Sequence, residues 1–133
     1  LFGGTGLTPA TNILALATTV LDARIAESRG QAQESLALWQ RAVAAGDEVP
    51  YDEPPIWFYP LRESLGAALL KAGDAAAAEQ VFRDDLQAHP KNGRSVFGLR
   101  ESLSRQQKSA TEAASAFDAA WKHADVQLSV DGL

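Results

Sequence analysis

Apolar residues recur along this chain at helical spacing. Leu65 and Leu69, Ala78 and Phe82, Leu99 and Leu103, and Ala113 and Phe117 are each four residues apart. Each pair therefore falls on one face of an α-helix. Breakers separate the pairs: Gly30, Gly73, Pro90 and Asn92-Gly93. The spacing predicts six helices, over about residues 9–28, 31–46, 59–72, 75–89, 93–105 and 109–125. Local chemistry agrees. Thr8-Pro9 reads as an N-cap and first turn, and Asp74 and Asn92 as caps of the fourth and fifth helices. Ser109-Ala110-Thr111-Glu112 reads as a capping box. The ends, residues 1–7 and 128–133, are expected to be loose.

The pattern repeats. Leu99 and Leu103 lie 34 residues after Leu65 and Leu69. Ala113 and Phe117 lie 35 after Ala78 and Phe82, with the extra residue placed in the turn over 105–108. Gly30 and Trp39 lie 43 before Gly73 and Phe82, and residues near 50–58 absorb the excess. Leu21 and Ile25 fill the places of Leu65 and Leu69 if the turn at 28–30 is one residue longer. Gly66 and Ala78 are small where two helices of a unit would touch, and Trp39, Phe82 and Phe117 are large where units would meet. Pro90 cannot continue a helix and restricts His89. One helix pair alone leaves an apolar face bare, and stacking three covers it. The expected fold is all-α, an αα-superhelix of three helix–turn–helix units with about six antiparallel helices. It forms one domain over 1–133, with units about 9–46, 59–90 and 93–125 and an aromatic, proline-rich loop over 47–58.

Composition narrows the class. The 133 residues are 46% hydrophobic, enough for a real core. Alanine is the commonest residue and favours closely packed helices. The net charge of −5 argues against a nucleic-acid or anionic-membrane partner, which calls for a basic face. There is no cysteine, so disulfides and thiolate metal sites are excluded. No apolar run approaches the roughly 20 residues that span a bilayer. The chain starts Leu1-Phe2-Gly3-Gly4, without Met, and is expected to be a fragment of a longer protein.

Leu65, Gly66, Leu69, Gly73, Ala78, Phe82 and Pro90 fit the tetratricopeptide pattern, with Arg62 and Asp85 as departures. Around them run Tyr51-Asp52-Glu53-Pro54-Pro55, Trp57, Tyr59-Pro60, Asn92-Gly93-Arg94-Ser95 and Phe97-Gly98-Leu99. Over about residues 12–127 the chain resembles the C-terminal part of a group of bacterial tetratricopeptide-repeat proteins without a firmly assigned activity. The resemblance implies further repeats upstream and a scaffold or partner-binding role. It also implies that the first helix of each pair lines a concave groove. Carried over, the groove positions are Glu63, Ala67, Leu70 and Lys71, then Arg94, Phe97, Glu101, Ser104 and Arg105. One version of this fold clamps a C-terminal carboxylate with Lys, Asn and Arg. Ser64, Arg94 and Gly98 stand at matching places here, but the asparagines are absent, so a chaperone-tail clamp is not expected.

Each candidate has a plain structural alternative. The groove residues also suit the solvated face of an amphipathic helix. In the loop, Trp57, Phe58 and Tyr59 either anchor a partner or fold back over the spacing defect. Folding back is the expected outcome, with Trp57 and Tyr59 kept as binding candidates. His89 suits a helix C-terminus, and neither it nor His123 has a second ligand at metal-pair spacing. Asp84 and Asp85 point about 100° apart on a helix and cannot converge on one atom. Asp85 is expected to bond to Arg62 or to a loop tyrosine. Gly3-Gly4-Thr5-Gly6 lacks the Gly-Lys-Ser/Thr of a phosphate loop, and no nucleophile or zinc-protease motif occurs.

The function expected is therefore non-enzymatic. It is a protein- or peptide-binding scaffold working through Glu63, Leu70, Lys71, Arg94, Phe97, Glu101 and Arg105, without metal, cofactor, nucleic acid or membrane. The alternative is an assembly element for self-association or docking onto an upstream domain. A third option is support of an upstream enzyme. The compartment stays open between bacterial cytoplasm and periplasm.

Overall fold

The computed structural model describes residues 9–50 and 53–133. Among them are six helices: α1 (Ala10–Ser28), α2 (Ala32–Asp47), α3 (Leu61–Lys71), α4 (Ala75–Ala88), α5 (Gly93–Arg105) and α6 (Thr111–Trp121). A 3-10 turn, Val130–Gly132, follows, and no strand occurs among the described residues. The all-α class is as expected. Helices pack on their neighbours in sequence, α1 on α2, α4 on α5 and α5 on α6. The chain divides into two compact units, residues 1–61 and 62–133. None of the described helices is long and apolar enough to cross a membrane.

One backbone device ends α1, α3 and α5. Gly30, Gly73 and Gln107 all take left-handed φ values, +70°, +86° and +57°. In each case the next N–H reaches back to a carbonyl five residues earlier: Gln31 to Ala26 at 2.9 Å, Asp74 to Leu69 at 3.0 Å and Lys108 to Leu103 at 3.0 Å. These bonds satisfy carbonyls that a helix end would leave bare. They also fix the register. Ala26, Leu69 and Leu103 are equivalent, and Ala23 stands where Gly66 stands. The longer first turn expected from the sequence is not there. Leu21 and Ile25 lie on the surface, 59% and 36% exposed, while Ala23 and Ala26 are buried.

The caps follow the sequence in part. Asp74 accepts from the Ala77 N–H at 2.9 Å and Asn92 from the Arg94 N–H at 3.1 Å. The capping box does not form. Ala110 holds the cap position of α6 without a side-chain bond, and Ser109 Oγ instead lies 3.3 Å from Thr111 Oγ1. Pro9 precedes α1 as its cap residue rather than opening its first turn, and Thr8 falls outside the described residues.

In the first unit, Trp39 is fully buried, as are Leu16, Ala23 and Ala42. Its indole N–H donates to Glu27 Oε1 at 3.3 Å, and the Arg24 guanidinium lies 4.8 Å from its ring centre. In the second unit the fully buried ring is Phe82. A Cβ at Gly66 would come within 2.3 Å of that ring, and one at Gly98 within 2.2 Å. The ring thus lies against bare backbone of α3 and of α5 and packs both helices onto α4.

Two substitutions test this packing. Gly98→Ala is expected to destabilise the protein by about 1–3 kcal/mol, since the ring is pinned on both sides and cannot yield. The loss should shrink in a Phe82→Leu background, as measured by denaturant unfolding. Gln107→Gly should instead stabilise by about 1 kcal/mol, because an L-residue with a Cβ strains in the left-handed region.

Candidate functional site

A buried polar frame positions the surface of α3 and α5. Asp85 on α4 is 2% exposed and Glu63 on α3 is 4% exposed. Carboxylates at such depth need donors. The Asn92 amide supplies them to both, reaching Glu63 Oε1 at 2.8 Å and Asp85 Oδ2 at 2.9 Å. Ser95 Oγ donates to Asp85 Oδ2 at 2.5 Å, and His89 Nδ1 lies 3.0 Å from Asp85 Oδ1. The remaining Glu63 oxygen accepts from Arg94 Nε at 2.5 Å. Asp85 was expected to meet Arg62 or a loop tyrosine; among the described residues it meets His89, Asn92 and Ser95, and Tyr51 lies outside them. These three follow the end of α4 closely, and the cap position of Asn92 aims its amide inward.

Arg94 is consequently fixed, and its free end faces the last residues of the chain. Its Nη2 donates to the main-chain oxygen of Gly132 at 2.5 Å and to that of Leu133 at 3.2 Å. Ser64 Oγ also reaches the Leu133 oxygen, at 3.4 Å. Lys71 Nζ lies 3.4 Å from Asp131 Oδ1. Leu133 is itself only 3% exposed. The segment after α6 turns back where the Trp121 indole N–H donates to the Val126 carbonyl at 2.7 Å. The tail that the sequence pattern left loose is therefore seated on α3 and α5. Arg94, Ser64 and a buried leucine hold it, and none of these contacts is local in sequence.

The other candidate residues are dispersed. Phe97 is buried and faces α6, with its ring 5.6 Å from Phe117 and the Arg100 guanidinium 4.9 Å away. Phe117 in turn stacks on Trp121 at 5.7 Å. Leu70 is buried, and its carbonyl accepts from Arg105 Nη1 at 2.6 Å. Glu101 is half-buried beside Arg100, 3.2 Å away. Of the candidate positions, Lys71 and Arg94 meet at the tail, and Glu63 holds Arg94 from beneath. Trp57 and Tyr59 lie in the first unit in a cluster with Phe58, with ring centres 4.8–6.0 Å apart. Trp57 and Tyr59 are half-buried, whereas Phe58 is 83% exposed. Sequence reasoning missed Asn92 and Ser95 as site-building residues, and it missed the tail itself. The one hint was the alternation of Val126, Leu128 and Val130 before Gly132-Leu133.

Glu79 on α4 organises a second cluster. Lys108 Nζ and Gln106 Nε2 each lie 2.8 Å from its Oε2, and Arg83 lies 2.9 Å from its Oε1. Hydrogen bonds from Lys108 first, then Gln106, then Arg83, lower its pKa to about 2 against the opposing effect of burial. Among the described residues no group of three or more His, Cys, Asp or Glu side chains is placed to hold a metal ion.

Compared with known proteins, the chain matches no family model, no curated protein and no solved structure.

Asn92→Ala should cost about 2–4 kcal/mol, since it removes a cap and leaves two buried carboxylates short of a donor; denaturant unfolding measures it. Glu79 has a depressed folded pKa, so its contribution is complete above the ordinary value of 4.5 and fades as pH falls towards 2. Glu79→Gln should flatten the fall in melting temperature over that acid window and leave its slope near neutrality unchanged.

Proposed function

We propose that this chain is a tetratricopeptide-like binding module whose helix pairs form a superhelix, without chemistry of its own. Its α3–α5 face holds a peptide segment of another protein. The observation that carries this is the way Arg94 and Ser64 already hold a stretch of polypeptide by its main-chain oxygens. Such donors recognise a backbone irrespective of its side chains. The glycine or glutamine at each left-handed turn and the spacing of 43 and 34 residues between them support the repeat assignment. The buried frame behind Arg94 supports a preformed site, because an arginine already fixed in place loses little freedom on binding.

A specific observation also favours a second role. On α1, Leu14 and Leu21 are 66% and 59% exposed, and Ile25 is 36% exposed. Their spacings of seven and four put them on one helical stripe. Such a stripe suits docking of a further helix, from an upstream repeat or from a second copy.

The two roles separate by experiment. In the first, Lys71→Glu and Arg94→Gln lower partner affinity at least tenfold in solution while circular dichroism is unchanged. Partners retained by both variants would sink the peptide-binding role. In the second, sedimentation shows concentration-dependent association that Leu21→Glu abolishes. A strictly monomeric protein at all concentrations would count against self-assembly.

A further inference from the structure

The segment on the α3–α5 face specifies what that face takes. Contacts come from two helices and are of three kinds. Arg94 and Ser64 bind the main-chain oxygens of Gly132 and Leu133. The Leu133 residue is removed from water, 3% exposed. The Asp131 carboxylate, 89% exposed, faces Lys71 at 3.4 Å. Between the acid and the aliphatic residue stands Gly132, where an added Cβ would meet only Ser129 Oγ, at 3.5 Å, so this place makes no demand on its side chain. The whole chain is acidic, with a net charge of −5, yet at this place it presents Lys71, while the Arg94 charge is already met by Glu63. Charge complementarity therefore favours an acidic ligand here over a basic one.

We infer that the face is a site for a short segment of a partner protein that carries an acidic residue two places before a buried aliphatic one. Residues 129–133 are its built-in occupant, which such a segment must displace. This rests on the binding role proposed above and names its ligand class. A tethered occupant acts at an effective concentration on the order of millimolar. A free peptide of similar intrinsic affinity therefore binds weakly until the tail is released. The buried polar frame stays intact when the tail leaves, since Glu63 holds Arg94 from beneath.

The test uses a fluorescent synthetic peptide with the sequence of residues 126–133 and measures anisotropy. The proteins are the full chain, a chain ending at Leu128, and a full-length double variant, Asp131→Lys with Leu133→Asp, whose tail is released without shortening. Circular dichroism checks that each is folded, and the double variant serves if the shortened chain is not. The expected result is binding to the tail-released protein at least tenfold tighter than to the full chain. It should weaken several-fold on Lys71→Glu in the released protein and for a peptide carrying Asp131→Lys, and be lost for a peptide carrying Leu133→Ala. Equal binding to full and released chains would overturn the built-in occupancy. No binding to a folded released chain, or binding blind to the peptide changes, would overturn the ligand class. Either failure leaves partner capture through Lys71 and Arg94 standing. Retention of partners by the Lys71→Glu and Arg94→Gln variants sinks that capture while peptide binding survives.

Discussion

Phe82 lies where neither Gly66 nor Gly98 has room for a Cβ. That constraint sets the distance between α3, α4 and α5, and everything on the α3–α5 face depends on it. A fully buried phenylalanine contributes roughly 1.5–3 kcal/mol from its removal from water. Its larger effect is geometric. Two glycines let two helices come up to one ring, which brings Ser64 and Lys71 on α3 within reach of the same segment as Arg94 on α5.

Above that contact sits the polar frame. Asp85, 2% exposed, brings a carboxyl group into the interior. The cost of that burial is offset only because Ser95, Asn92 and His89 all reach it. Asn92 then has a second task, the bond to Glu63, and Glu63 a third, the bond to Arg94. The buried carboxyl group on α4 is thereby connected, through Asn92 and Glu63, to the arginine that meets the tail. A buried ionic group is weak evidence for stability, since well-packed apolar residues of similar size often do as well. Its value here lies in direction: it fixes where one guanidinium points.

Much of the fold was legible in the sequence, because helix periodicity, turn glycines and two caps are local signals. Gly73, Asp74 and Asn92 act as their chemistry requires. The register of α1 was misread for a physical reason. Leu21 and Ile25 are the more apolar residues, but the left-handed turn at Gly30 dictates which residues face inward, and it selects Ala23 and Ala26. Amphipathic pattern lost to turn geometry. The site was legible only in pieces. Lys71 and Arg94 stand on α3 and α5, the helices from which the resemblance drew its groove positions. Phe97 stands on α5 too, yet its ring turned to Phe117 on α6. The seating of Leu133 beside Ser64 joins residues 69 apart in sequence. No local rule reports such a contact.

The tail contacts also rank the forces at the face. The Lys71–Asp131 pair is solvated on the Asp131 side, and pairs of that kind contribute about 0–1 kcal/mol. The main-chain bonds from Arg94 are charge-assisted and come from a prefixed donor, so they are stronger. They are also indifferent to side-chain identity. Discrimination between segments must therefore come chiefly from the residue that is buried, Leu133. Backbone recognition supplies the hold, one apolar anchor supplies most of the choice, and the acid favours cationic α3 over the acidic remainder of the surface.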